Sequence, residues 1–274
     1  MTGAAVPVSP AWLALREPAD AAARSLELAS RLAGAAPDGG AWVIHDLACG
    51  TGSMGRWLAP LLPGAQRWVL HDRDGELLRI AGADAPSASG DGASVSVKPR
   101  RSDITRLDPS DIAGASLITA SALLDLMAAP ELDRLIATCA TARCPLLFTI
   151  SVTGRVALEP VDPLDGAIAA AFNAHQRRDT GAGRLLGPDA VSAAVERLCR
   201  EPVEVLVRPS PWRLGAADRE LTVAWLEGWL SAAREHEPPL HEAAAAYRSR
   251  RLAQARAGEL CVAVDHADVL AMPR

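Results

Sequence analysis

Apolar residues come in short runs along this chain, and their spacing separates strands from helices. The runs at residues 42–44, 66–72, 115–120 and 145–152 have strand length, and residues 94–97 alternate Ser and Val as a half-covered strand does. Helical patterns lie between them. The alternation from residue 42 to 152 predicts an α/β fold around a parallel sheet. The run at 145–152 is apolar almost throughout, which suits a strand covered on both faces. Two later strand-like runs, 204–208 and 260–266, are separated by a long helical stretch in which Trp225 and Trp229 sit one turn apart as a core stripe.

The chemistry concentrates where the first of these runs ends. There the chain reads Asp46-Leu47-Ala48-Cys49-Gly50-Thr51-Gly52 and passes at once into a helical pattern at Ser53. A strand that ends in a carboxylate and crosses two glycines leaves its backbone bare, so a small ligand can lie against the loop. The stretch Gly50-Thr51-Gly52-Ser53-Met54-Gly55 also spells G-x-G-x-x-G, with Asp72 some twenty residues on, as in a dinucleotide fingerprint. Asp46 separates the two readings. A dinucleotide brings a pyrophosphate to the turn, which a carboxylate repels, whereas S-adenosylmethionine (SAM) has no phosphate and carries an ammonium and a sulfonium.

The loop resembles the cofactor loop of class I SAM-dependent methyltransferases. That resemblance covers roughly residues 40 to 152 and implies a Rossmann-like, doubly wound, seven-stranded, mostly parallel sheet whose last strand is antiparallel. It implies SAM as cofactor and S-adenosylhomocysteine as product. Carried onto this chain, it assigns the cofactor to Asp46, Ala48, Gly50 and Gly52. Asp72, at the end of the second strand, takes the ribose hydroxyls, with Asp74 sharing or replacing it. Asp103 accepts from the adenine amino group and Ile104 covers the ring; judged alone, Asp103 reads equally as a helix N-cap. Ser121, at the fourth strand's end, faces cofactor and acceptor. Asp125 beyond it either acts on the substrate or starts the next helix. This strand end resembles neither the Asn/Asp-Pro-Pro-Tyr motif of amino-group nucleic-acid methyltransferases nor a cysteine-nucleophile motif.

Three parts lie outside the sheet. Residues 1–40 read as an N-terminal helical cap on a methyltransferase domain of residues 41–274. In the cap, Pro18 near a helix start and the spacing of Asp20 and Arg24 predict a surface ion pair on an amphipathic helix. The sharper reading brings Arg24 or Arg16 to a carboxylate of SAM or substrate. A lid-like insert of about residues 153–200 carries a polar helix between glycine hinges. In it Asn173 and Gln176 share one face as substrate contacts, while His175 points elsewhere, beside Arg178, as a candidate base. Trp212 is a further substrate candidate, and extra helices of about residues 216–257 form another wall or a homodimer surface.

Composition narrows the partners. The 274 residues are 49% hydrophobic with a formal net charge of −5, and Lys98 is the sole lysine. An acidic chain lacks the basic face that a phosphate backbone needs, which counts against nucleic acid. Arg100-Arg101 and the arginines from 248 to 251 read as solvated faces. Five cysteines without a C-x-x-C pair make neither a disulfide framework nor a zinc site, so no metal is expected. No run reaches membrane-span length and no signal sequence is visible, which points to the cytoplasm. The expectation is an O- or N-methyltransferase for a small-molecule acceptor. An NAD(P)-dependent oxidoreductase and a non-catalytic SAM-binding protein are the other readings of the same loop.

Overall fold

The computed structural model describes residues 8–37, 40–181, 183–238 and 241–274. Its centre is a sheet of β1 (Trp42–Leu47), β2 (Gln66–Asp72), β3 (Val95–Arg101), β4 (Leu117–Ser121), β5 (Leu146–Glu159), β8 (Val203–Pro209), β9 (Trp212–Leu214) and β10 (Cys261–Pro273). The order is β3-β2-β1-β4-β5-β10-β8, with β9 paired to β10 off this path. The strands from β3 to β5 run parallel and β10 is antiparallel to both its neighbours. Two two-residue strands, β6 (Asp179–Thr180) and β7 (Gly183–Arg184), form a separate ladder.

The mostly parallel sheet and its antiparallel last strand agree with expectation, and among the described residues this sheet has eight strands where seven were expected. The thirteen residues of β10 are long enough to pair with β8 through Ala267–Pro273 and then with β9 through residues 262–264. Trp212 therefore sits on a strand and not on a substrate loop. β5 is also longer than the apolar run suggested, so Gly154, the first glycine of the insert, lies inside a strand. Its first six residues are buried where the strand lies between β4 and β10; from Val152 the burial alternates, since only β10 accompanies it there.

Helices cover both faces of the sheet. On one side α2 (Leu26–Ala33), α3 (Ser53–Leu58) and α4 (Gly75–Ala83) pack Leu28, Met54 and Leu78 onto Ile44, Trp68 and Leu117. On the other, α5 (Ala129–Ala140) and α7 (Ala190–Leu198) pack Leu135 and Ala194 onto Ile118, Phe148 and Val269. Alternate residues of one strand thus serve opposite cores.

A third core lies beyond the parallel strands. There α6 (Asp165–Gln176), α8 (Arg219–His236) and α9 (His241–Ala257) enclose β9 and the outer ends of β5 and β10. The expected Trp225–Trp229 stripe belongs to it, the rings stacked at 5.1 Å. The arginines of α9 are not all solvated: Arg251 is fully buried, held at 2.6 Å by both oxygens of Asp165. Burying a guanidinium requires such a partner.

The first helix, α1 (Pro10–Ala23), begins well before Pro18 and runs through it. Asp20 does not pair with Arg24, because the helix ends at Arg24 with ψ of 140° and the two side chains leave its common face. Asp20 instead accepts from Arg16 and, at 2.9 Å, from the Trp212 indole N–H. The junction between α1 and α2 is fixed to the sheet: the Ser25 N–H donates to the buried Asp268 carboxylate of β10 at 2.8 Å.

Candidate active site

At three adjacent strands a residue other than glycine takes a left-handed φ that side chains seldom allow. Ala48 after β1, Ala122 after β4 and Ile150 within β5 have φ of 52°, 51° and 55°. For a β-branched residue such as Ile150 this is a strained conformation. The Ile150 N–H donates to Asp268 Oδ1 at 2.8 Å, which holds the kink. Strain of this kind gathers at functional sites. These ends also border the point between β1 and β4 where the strand order reverses, the usual ligand crevice of open α/β sheets.

Local chemistry shapes the glycine loop. Gly50 and Gly52 have φ of 56° and 86°, and Asp72 locks the loop from β2: Oδ2 accepts from the Gly50 N–H and Oδ1 from the Asp74 N–H, both at 2.9 Å. From above, α1 closes on it. A Cβ at Gly50 would stand 3.1 Å from Leu13 Cδ1, and Glu17 pairs bidentately with Arg56, whose guanidinium also donates to the Thr51 carbonyl at 2.7 Å.

At the centre of the crevice Arg24 and Asp46 meet the ends of β1 and β4. Arg24, only 2% exposed, donates to Ser121 Oγ at 3.0 Å, to Ser53 Oγ at 3.1 Å and to the Ser53 carbonyl. Asp46, 1% exposed, accepts from Thr119 Oγ1 at 2.8 Å. Two buried atoms have no hydrogen-bond partner here, Arg24 Nε and Asp46 Oδ2. Burial pushes the Asp46 carboxyl up to about 7, against the pull of the Thr119 hydrogen bond and of Arg24. Burial likewise lowers Arg24, with Asp20, Asp268 and Asp46 opposing it. Orphaned buried donors and acceptors are uncommon in folded proteins. A zwitterion would satisfy both, its ammonium at Asp46 and its carboxylate at Arg24.

The other residues singled out from sequence divide into two groups. Asp46, Ala48, Gly50, Gly52, Asp72, Ser121 and Arg24 converge on this crevice. Asp74 caps α4, accepting from the Glu76 and Leu77 N–H groups. Asp103 is exposed and caps the 3-10 turn Ile104–Arg106, with its Oδ1 taken by Thr105; Ile104 packs into the core under α5. Asp125 is half-buried in the turn after β4, and desolvation raises its carboxyl while Arg16 of α1 opposes the shift. It lies in the first turn of the short 3-10 helix Leu124–Leu126 and is half-buried rather than solvated.

In the insert, Asn173 and His175 are held by neighbours within it or on α8. Asn173 donates to the Gly154 carbonyl at 2.7 Å, supporting the left-handed glycine of β5. His175 points away from Asn173 as its spacing predicts, but toward Glu235 of α8 at 3.4 Å and Arg178. Neither Glu235 nor Arg178 belongs to the crevice, because α6 packs along α8, and this placement does not fit a base. Gln176 leaves a buried Oε1 without a partner. Trp212 is 3% exposed and serves as a wall, with the Arg16 guanidinium 5.0 Å from its ring. Sequence reasoning did not single out Thr119, Ser151, Asp268 or His266; no local motif marks them, since they come from strands far apart in the chain. Among the described residues, no group of three or more His, Cys, Asp and Glu side chains could hold a metal.

No protein-family model matches the chain, and no curated protein matches it. Among solved structures, a SAM-dependent methyltransferase from Thiobacillus denitrificans in complex with S-adenosyl-L-homocysteine is 14% identical at a TM-score of 0.48, covering 98% of this chain and 100% of its own. The cyclopropane synthase MmaA2 from Mycobacterium tuberculosis is 11% identical at 0.49, covering 95% of this chain and 94% of its own. A coclaurine N-methyltransferase bound to N-methylheliamine and S-adenosylhomocysteine is 15% identical at 0.43, with 99% and 75% covered. No assignment rests on likenesses this distant. The chain's own strand order and the crevice at its switch point define a doubly wound, Rossmann-like α/β protein with an antiparallel strand set between β5 and β8.

Proposed function

We propose that this protein is a SAM-dependent methyltransferase acting on a small-molecule acceptor by O- or N-methylation. One observation carries the reading: the unpartnered Asp46 Oδ2 and Arg24 Nε, buried together beside a glycine loop. Asp46 would hold the ammonium of the methionine moiety, and Arg24, with Ser53 and Ser121 beside it, the carboxylate. Asp72 would take the ribose through the lone pairs that its two backbone hydrogen bonds leave free. Within the expected cap of residues 1–40, of which 1–7 and 38–39 lie outside the described residues, α1 would cover the site, since it lies against the loop.

When bound, SAM supplies an activated methyl group on a sulfonium. The chain's contribution is then placement: the crevice holds the donor at fixed angle to an acceptor and excludes water, and alignment of this kind contributes on the order of 7–11 kcal/mol. The chain is acidic overall, which supports a small acceptor over nucleic acid. No helix among the described residues is long and apolar enough to cross a membrane.

The oxidoreductase reading fits less well. A dinucleotide fold of the usual order 3-2-1-4-5-6 has no antiparallel strand between its fifth and sixth, and Asp46 stands where a pyrophosphate would approach. The test is a transfer assay with methyl-labelled SAM in cell extract, with the label then fractionated by size. Label in small molecules is expected; label in protein or RNA would overturn the acceptor class.

A further inference from the structure

The sheet has two edges, β3 and β8, and β8 leaves backbone groups unused on its free side. β8 pairs with β10 in one unbroken register; beyond its ends the Ser210 N–H donates to the His266 carbonyl at 2.9 Å and the Arg274 N–H to the Pro202 carbonyl at 3.1 Å. Antiparallel hydrogen-bonded pairs recur at every second residue, so between these two bonds Glu204, Leu206 and Arg208 turn their N–H and C=O groups toward β10. Val205 and Val207 turn theirs outward. Among the described residues nothing bonds to the Val205 N–H or C=O or to the Val207 N–H, and the Val207 carbonyl accepts at 2.9 Å from the side chain of its own neighbour Arg208.

An open strand edge is a template for a further strand, and folded proteins blunt such edges with charge and proline. Pro209 guards one end of β8, but the stretch before it is apolar on both faces. Val203 and Val205 pack toward the core under α5 and α7, Leu206 packs toward that under α2, and Val207 is 39% exposed. On the α2 side an open groove follows the edge, lined by Leu28, Ala35, Leu206 and Met272. Glu204 and Arg208 flank Leu206 on this side. Arg31 donates to Glu204 at 3.0 Å, and Arg208 pairs bidentately with Glu27.

We propose that β8 pairs antiparallel with β8 of a second copy about a two-fold axis through Leu206, giving a homodimer with one continuous sheet. This contact stands apart from the crevice and from the proposed activity. Free groups and charge fix its register. An axis through Val207 would set Val205 against Pro209, which has no N–H. An axis through Val205 would set Val207 against Val203, whose N–H already donates to the Glu201 carbonyl at 2.8 Å. With the axis through Leu206, Val205 and Val207 of one copy exchange hydrogen bonds with Val207 and Val205 of the other. Leu206 then meets its own counterpart, and Glu204 stands opposite Arg208 on both sides of the axis, in the non-hydrogen-bonded pairs where side chains come closest. Charges alternate along Arg31, Glu204, the second copy's Arg208 and its Glu27, so no like charges are brought together. A closed two-fold interface requires such self-complementarity. The two grooves merge around the paired leucines.

The test is sedimentation equilibrium of the full chain from low micromolar to several hundred micromolar concentration, where a reversible dimer is expected. Glu204→Arg and Arg208→Glu each set like charges across the axis and should weaken self-association about tenfold or more. Mixed in equal amounts, the two variants oppose unlike charges again and should pair with one another nearly as tightly as the unaltered chain, which also shows that both are folded. Val207→Pro removes an outward donor and spares the ladder to β10, so it should stay monomeric with an unchanged far-ultraviolet circular dichroism spectrum. An unaltered chain that is monomeric throughout the range would overturn the inference and leave the edge to a strand of another protein. Persistence of the dimer in Val207→Pro or in either charge variant would overturn it too, placing the interface elsewhere, and so would a mixture in which the charge variants stay apart.

Discussion

The parallel part of the sheet, β3-β2-β1-β4, and the part built around β5, β10, β8 and β9 present their polar groups in different ways. On the parallel side the ligand-facing residues sit at consecutive strand ends within one stretch of chain: Asp46 and the glycines after β1, Asp72 after β2, Ser121 after β4. On the other side Arg16, Asp20, Trp212 and His266 meet only because α1 crosses over to β9 and β10. A short sequence motif can encode the first arrangement and cannot encode the second. Arg24 joins the two: its guanidinium reaches Ser53 and Ser121, while the next residue is tied to Asp268 on β10.

This contrast orders the effects expected on substitution. The largest should come at the joint. Arg24→Met removes the charged partner of the methionine carboxylate, and a charge-assisted hydrogen bond of about 3 kcal/mol corresponds to roughly a hundredfold loss in SAM affinity by calorimetry. An affinity within threefold of the unaltered chain would place the carboxylate elsewhere.

Asp72→Ala should follow, with a loss of more than tenfold. It should also cost stability, about 1–3 kcal/mol in a denaturant titration, because the Gly50 and Asp74 N–H groups lose their acceptor. Retained affinity together with reduced stability would reduce Asp72 to a loop anchor.

Asp46 gives a smaller effect that depends on pH. Its folded value, raised to about 7, lies above the ordinary value of 3.8, so the folded state favours the protonated acid. The stability this supplies is present below pH 3.8 and is lost as the pH rises through 7, at up to about 1.4 kcal/mol per pH unit. Asp46→Asn should remove that slope. Bound ammonium favours the carboxylate, so SAM binding at pH 6.5 should release protons, measurable as heats that differ between buffers of unlike ionisation enthalpy. Equal heats in all buffers would contradict the assignment.

The smallest effect is expected at His175. Its partners are Glu235 and Arg178, and His175→Ala should leave methyl transfer within about twofold. A loss of a hundredfold would return the insert helix to the chemistry.

How far the sequence could be read follows the same division. The bounds of β2 and the role of Trp225 and Trp229 were legible because strand alternation and helical stripes are local patterns. The glycine loop was legible because it needs glycine where φ is positive. Asp20 and Arg24 misled, since their spacing holds only while the helix continues, and it stops at Arg24. The solvated reading of the α9 arginines failed at Arg251 because its partner Asp165 lies on a helix far off in the chain. Asp74 and Asp103 proved to be caps, a use of aspartate that a strand-end position cannot distinguish from ligand contact. His266 carried no signal at all, since nothing in its neighbours reveals that Trp212 and Arg16 will face it.

The most direct test of the buried Arg24–Asp46 site is a calorimetric comparison of SAM, 5′-methylthioadenosine and NAD+ on the full chain. Methylthioadenosine keeps the adenosine end and lacks the amino-acid end. SAM is expected to bind at least a hundredfold more tightly than methylthioadenosine, with no saturable binding of NAD+. Equal affinity for SAM and methylthioadenosine, or tighter binding of NAD+, would contradict the site as built here.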